Sequence, residues 1–281
     1  MTTKLHPTEH WADIGALRMR FLDWGGSGEP VLALHGLASS GHWYDLIAPL
    51  LQDAFRIIAP DQRGHGQTTQ ATTGYDWQSL AGDAAGLLDH LGMGQAAVMG
   101  HSWGCNVGIN LAARFPDRVS RLVMIDGGTA GGRSDSGESW EQVRARIRPR
   151  DVSGTREQFL DRLRQQLWFC WNDEIERIVQ TMVYEDAEGQ IQDILRPENH
   201  LQVMKAMFEE PTSTVWPMVR CPVLLAPAGP RPEYAGSERA RVKEERVAAT
   251  AQQIADAFEF LIRKAPEQWH LLQPNWPSDR S

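Results

Sequence analysis

The chain has 281 residues, 42% of them hydrophobic and 23% charged, with a formal net charge of −8. That composition is ordinary for a globular protein with one large core, alone or with a lid. The acidic balance argues against nucleic acid or an anionic membrane surface as the main partner.

The N-terminus carries no apolar run after Lys4. It reads as lacking a secretory leader and predicts a cytoplasmic protein. Leu17 to Trp24 alternates and predicts an edge strand. Val31 to Leu34 is a short buried run ending at His35-Gly36-Leu37, and the amphipathic stretch Trp43 to Leu51 reads as the first helix. Phe55 to Ala59 is the next buried run, closed by Pro60-Asp61-Gln62-Arg63-Gly64-His65-Gly66. Trp77 to Leu91 has helical spacing, Ala96 to Met99 is strand-like, and Cys105 to Phe115 is helical again. Val119 to Ile125 follows and ends at Asp126-Gly127-Gly128. Buried strands alternating with helices predict an α/β fold with a mostly parallel sheet and helices on both faces.

Residues 127–218 change character. They are charged, helical in spacing, and contain no convincing buried strand; Phe159 to Trp171 and Ile175 to Val183 are the clearest helices. They predict a helical lid, with residues 1–126 and 219–281 forming the core. Pro222 to Ala226 returns to strand composition.

Residues 91–113 hold no Asp, Glu, Lys or Arg, but their glycines, asparagines, His101 and Ser102 speak against a bilayer span. Cys105, Cys170 and Cys221 are an odd number at wide spacing. They predict buried thiols in a reducing compartment and neither a disulfide framework nor a metal site. No sequence pattern calls for a cofactor. Of the 11 tryptophans, Trp140, Trp168, Trp171 and Trp216 lie within 127–218. Some belong to the core, and the rest are candidates to line an apolar pocket for a small-molecule substrate.

The most informative segment is Gly100-His101-Ser102-Trp103-Gly104. G-x-S-x-G between a buried strand and a helix is a nucleophile elbow. The turn is so tight that neighbours two residues from the serine must lack side chains, as Gly100 and Gly104 do. With His35-Gly36, the Asp61-x-Arg63-Gly64-x-Gly66 turn, Arg114-x-Pro116-x-x-Val119 and Cys221-Pro222-Val223-Leu224-Leu225, residues 17 to about 226 resemble α/β hydrolases with a serine nucleophile. The resemblance implies Ser102 as nucleophile and the amides of Leu37 and Trp103 as oxyanion donors. His35, His65 and Arg63 read as loop braces. His101, one residue before the serine, points the wrong way to be its base.

Two departures bear on the rest of the triad. The acid of this family usually follows the next-to-last strand, in a Gly-x-x-Asp turn. Here that strand is followed by Pro227-Ala228-Gly229-Pro230-Arg231-Pro232-Glu233. Asp126 fills the same space from the preceding strand, or caps a turn; Glu233 is the runner-up acid. The family then expects an eighth strand and a histidine. Ser237 to Lys264 reads instead as one long helix, with Val247, Ala251, Ile254, Phe258 and Leu261 on a stripe and Pro266 stopping it. His270 is the candidate base, since the order Ser102, Asp126, His270 is the family's order; the alternative is a tail residue beside Trp269. The last 30 or so residues, with Pro266-Glu267-Gln268-Trp269, weakly resemble the tail of bacterial lipid acyltransferases without the catalytic motif of those enzymes.

Three readings follow. One is a serine hydrolase of a small ester or related carbonyl substrate. Another is a hydrolase-fold remnant or binding protein without a competent base. The third is a carbon–carbon bond hydrolase using the same residues. Oligomeric state is not legible.

Overall fold

The computed structural model describes residues 6–128, 137–148, 150–168 and 170–227. Glu233, the helix expected over Ser237 to Lys264, His270 and the acyltransferase-like tail lie outside the described residues.

Seven strands form one sheet: β1 (Thr8–Ile14), β2 (Leu17–Asp23), β3 (Glu29–Leu34), β4 (Phe55–Pro60), β5 (Ala96–His101), β6 (Val119–Ile125) and, much later in the chain, Val223–Ala226. Their order across the sheet is β1-β2-β4-β3-β5-β6, with Val223–Ala226 on the outer edge beside β6. The β1–β2 and β2–β4 pairings are antiparallel, and β4–β3 and every pairing beyond it are parallel.

Strand alternation splits the core into two layers. Leu32, Leu34 and Val98 face one side, against α2 (Trp77–His90) and α3 (Trp103–Arg114). Val31, Ala33, Ala97 and Met99 face the other, with Tyr44 and Ala48 from a 3₁₀ turn (Gly41–Tyr44) and the short helix α1 (Ala48–Leu51). Asp76 caps α2 by accepting the Ser79 amide at 2.9 Å.

Between β6 and the edge strand comes an insert. It holds α4 (Trp140–Arg146), α5 (Arg156–Gln166), α6 (Asp173–Gln180), a hairpin of β7 (Val183–Glu185) and β8 (Ile191–Asp193), and α7 (Pro197–Glu209). The edge strand Val223–Ala226 is β9. Capping boxes, Ser139 with Gln142 and Thr155 with Gln158, start α4 and α5. Phe159, Leu160, Val179, Val183 and Ile191 give the insert a small core of its own.

The structure corrects four sequence expectations. Leu17 to Trp24 is not the edge: β1 pairs along its whole length, and β2 is buried at all but one position. The insert contains the β7–β8 hairpin, whose strands have three residues each, too short for periodicity to show. Trp43 to Leu51 is not one helix; it divides into the 3₁₀ turn and α1, with Pro49 in the first turn of α1. Cys105 and Cys221 are buried, but Cys170, at the surface of the insert, is exposed. Among the tryptophans of the insert, Trp216 is core and Trp168 is 73% exposed.

Candidate active site

Three strand ends meet at one place. Among the described residues only Ala38, Ser102 and Asp126 are non-glycine residues with positive φ, at 55, 51 and 47°. They follow β3, β5 and β6, three hydrogen-bonded neighbours. Such conformations cost of order 1–3 kcal/mol each and persist where surrounding structure enforces them.

Ser102 (φ 51, ψ −118) is the N-cap of α3. Its side chain is exposed while Trp103 to Ala113 behind it are buried. The flanking glycines are required by contact. A Cβ on Gly100 would lie 2.6 Å from the Cys105 nitrogen, and one on Gly104 would overlap the Leu34 carbonyl. Gly127 is equally constrained, since a Cβ there would overlap the Ser102 carbonyl. Gly36 passes on the other side, its missing Cβ 3.2 Å from the Ser102 Cβ. The serine is therefore flanked by backbone on both sides.

The loop after β3 is braced by two buried neutral histidines. His35 Nε2 accepts the Gln62 amide at 3.0 Å, so Nδ1 carries the proton and donates to the Gly36 carbonyl at 2.8 Å. His65 Nε2 accepts the Ala38 amide at 3.1 Å, and Nδ1 donates to the Arg63 carbonyl at 2.9 Å. Burial lowers His35 to a pKa of about 4 and His65 to about 3. Arg63 is in turn fixed by a two-pronged bond to Asp83 of α2, at 2.8 and 2.7 Å. Asp61, fully buried, accepts the amides of Gly41 and Gln67 at 2.8 Å each and is ion-paired with Arg20. Every brace thus ends on the Gly36–Gly41 loop or on the Asp61–Gly66 turn that supports it.

Two amides near the elbow in the chain are left without a backbone acceptor among the described residues. Among the described residues the Leu37 amide has no acceptor. The Trp103 amide is the first N–H of α3, with no carbonyl a turn back. A helix N-terminus and a free loop amide can stabilise a developing oxyanion.

Asp126 holds its backbone through the Ala226 carbonyl, 3.0 Å from its amide. Its charge raises the pKa of His101, against the larger lowering by burial, and raises that of Cys105 in the same direction as the larger effect of burial. The carboxylate therefore sits beside the elbow. His101 is stacked on Trp43, ring centroids 3.9 Å apart and 16° from parallel, and burial holds it neutral with a pKa of about 4. Cys105 is pushed up to about 12 by burial, and its thiol donates to the Gly100 carbonyl at 3.1 Å. Among the described residues no cluster of three His, Cys, Asp or Glu could hold a metal ion. No helix among them is long and apolar enough to cross a membrane.

Sequence reasoning missed Trp43 and Tyr44. The Tyr44 hydroxyl lies 2.9 Å from the Leu34 carbonyl and 3.0 Å from that of Met99, tying the ends of β3 and β5 together. Only an aromatic pair shortly after His35-Gly36 could have hinted at it.

The alpha/beta hydrolase fold model matches residues 29–186. A soluble epoxide hydrolase of Corynebacterium sp. (strain C12) is 37% identical over 126 residues, 45% of this chain and 43% of the relative. A 2-(acetamidomethylene)succinate hydrolase of Mesorhizobium japonicum (strain LMG 29417 / CECT 9101 / MAFF 303099) is 39% identical over 114 residues, 41% of each chain. The crystal structure of E-2-(acetamidomethylene)succinate hydrolase superposes with a TM-score of 0.69 at 25% identity, covering 86% of this chain and 87% of that one. The chain spans about two-fifths of the length of the curated relatives it matches. A family model covering more than half of the residues, on a sheet whose strand ends converge on one strained serine, makes this chain a member of the alpha/beta hydrolase fold family.

Proposed function

We propose that the protein is a serine hydrolase of a small-molecule ester or related carbonyl substrate. Ser102 attacks the carbonyl, and the oxyanion is met by the amides of Leu37 and Trp103. His270 takes the serine proton and returns it to the leaving group, with Asp126 orienting that histidine. The insert serves as the lid over this site, and the substrate is apolar. The single observation that carries the reading is the exposed Ser102 held at φ 51 between two strands, at the N-terminus of a buried helix.

The relatives' names include an epoxide and an acetamido-substituted succinate. Family membership therefore supports hydrolysis and leaves the bond open. A serine at the elbow favours acyl transfer, because its alkoxide attacks a carbonyl, and the unpaired Leu37 amide and the helix-start amide of Trp103 support the reading as donors to a tetrahedral oxyanion.

The test is labelling of the purified chain with a fluorophosphonate, followed by a panel of p-nitrophenyl esters and thioesters. Covalent labelling at Ser102 with ester turnover is expected. Absence of labelling would favour a hydrolase-fold binding protein. Labelling without turnover of any ester or thioester would favour carbon–carbon cleavage.

A further inference from the structure

The stretch Ser40–Asp45 touches both the insert and the strand ends. At one end, Ser40 Oγ lies 2.7 Å from Thr181 Oγ1. The Thr181 hydroxyl donates to the Ile178 carbonyl at 2.7 Å, so Ser40 is the donor to Thr181. At the other end, the buried Asp45 carboxylate is ion-paired with Arg177 of α6 at 2.7 Å and accepts from His42 at 2.9 Å. Between these ends the Gly41 amide is fixed to Asp61. Trp43 lies flat on His101, the residue before Ser102. Tyr44 bridges the carbonyls of Leu34 and Met99.

We propose that Arg177 and Thr181 are positioning residues: from the insert they hold the Ser40–Asp45 strap, and the strap sets the Leu37 amide and the Ser102 hydroxyl relative to one another. The inference rests on the serine-hydrolase reading for its catalytic consequence, and on geometry alone for the mechanical link. Leu37 lies three residues from Ser40, and His101 is the residue before Ser102. A shift of the strap therefore reaches both sides of the oxyanion. In this arrangement docking of α6 on the strap is a condition for the reactive geometry.

The experiment compares the full chain with Arg177→Gln, Arg177→Lys and Thr181→Val. Arg156→Gln is the control, since Arg156 pairs with Glu185 within the insert. Two quantities are read: the rate constant of fluorophosphonate labelling, and hydrogen exchange of peptides spanning 34–45 and 99–107. Arg177→Gln should slow labelling about tenfold, as expected for sub-ångström misplacement of reacting groups. Arg177→Lys should recover most of the rate, and Arg156→Gln should match the wild type. Exchange should rise in both core peptides of Arg177→Gln, with the melting temperature little changed. Exchange that rises only within 173–209 would overturn the link, whatever the labelling shows. Thr181→Val, which removes the acceptor of the Ser40 hydroxyl and one donor to the Ile178 carbonyl, decides the matter by the same exchange readout if Arg177→Gln does not fold. A wild-type chain that never labels would sink the serine-hydrolase reading, while the exchange data would still judge the strap.

Discussion

The Ser102 amide donates to the carbonyl of Ile125 at 2.9 Å. Ile125 is the last residue of β6, and Asp126 follows it. The elbow and the turn that carries Asp126 are therefore one hydrogen-bonded unit, closed by Gly127 against the Ser102 carbonyl. A carboxylate held this way has little freedom to move relative to the serine, which is what an orienting acid needs.

Ser102→Ala should abolish labelling and turnover while leaving the fold intact. The residue is exposed, and among the described residues its hydroxyl makes no hydrogen bond, so its loss removes no packing. Activity with any probed ester, measured beside an unchanged far-UV circular dichroism spectrum, would rule Ser102 out as nucleophile.

Asp126→Asn should cost about 10⁴ in kcat, the loss seen for the equivalent change in a serine protease triad. The change keeps the shape and removes the charge. Glu233→Gln is expected to be nearly silent. A larger loss for Glu233→Gln than for Asp126→Asn would transfer the role of acid to Glu233.

His270→Gln should reduce labelling to the level of a serine without a base, a loss of order 10²–10⁴. Labelling at the wild-type rate in this variant would mean that the proton goes elsewhere. His35 and His65 are poor substitutes, since both ring nitrogens of each are occupied by backbone groups.

Acid should loosen the protein through the loop braces. In the unfolded chain a histidine takes up a proton near 6.5, whereas folded His35 does so near 4 and His65 near 3. As pH falls below 6.5 the unfolded state binds protons that the folded state does not. Stability is then lost at about 1.4 kcal/mol per pH unit for each such histidine. Above the unfolded value both states are neutral and these groups contribute no slope. Urea unfolding midpoints should therefore agree between pH 7.5 and 6.5 and drop clearly by pH 5. A midpoint unchanged at pH 5 would contradict the buried neutral state of these rings.

Much of this was legible in the chain, and the reasons differ by residue. β5 reads from Ala96-Ala97-Val98-Met99 because a strand buried on both faces must be apolar throughout. His35, His65 and Arg63 read as braces because the loops carrying them need internal partners for their amides. β1 was not legible: Thr8, Glu9, His10 and Trp11 are exposed, and the strand is defined by pairing with β2 rather than by a buried face. The contacts of Trp43 and Tyr44 were equally hidden. They join residues 43 with 101 and 44 with 99, separations at which no local pattern operates. His270 was named from chain order alone and lies outside the described residues.

The three left-handed strand ends carry a cost in thermal endurance. Each of Ala38, Ser102 and Asp126 occupies a backbone conformation that glycine would adopt with less strain. Ser102→Gly should accordingly melt higher than Ser102→Ala in a side-by-side thermal scan, and equal melting would show the elbow to be unstrained. Selection of this chain for heat resistance alone would work against the proposed nucleophile, because the residue the sheet tolerates best at that corner has no hydroxyl to offer.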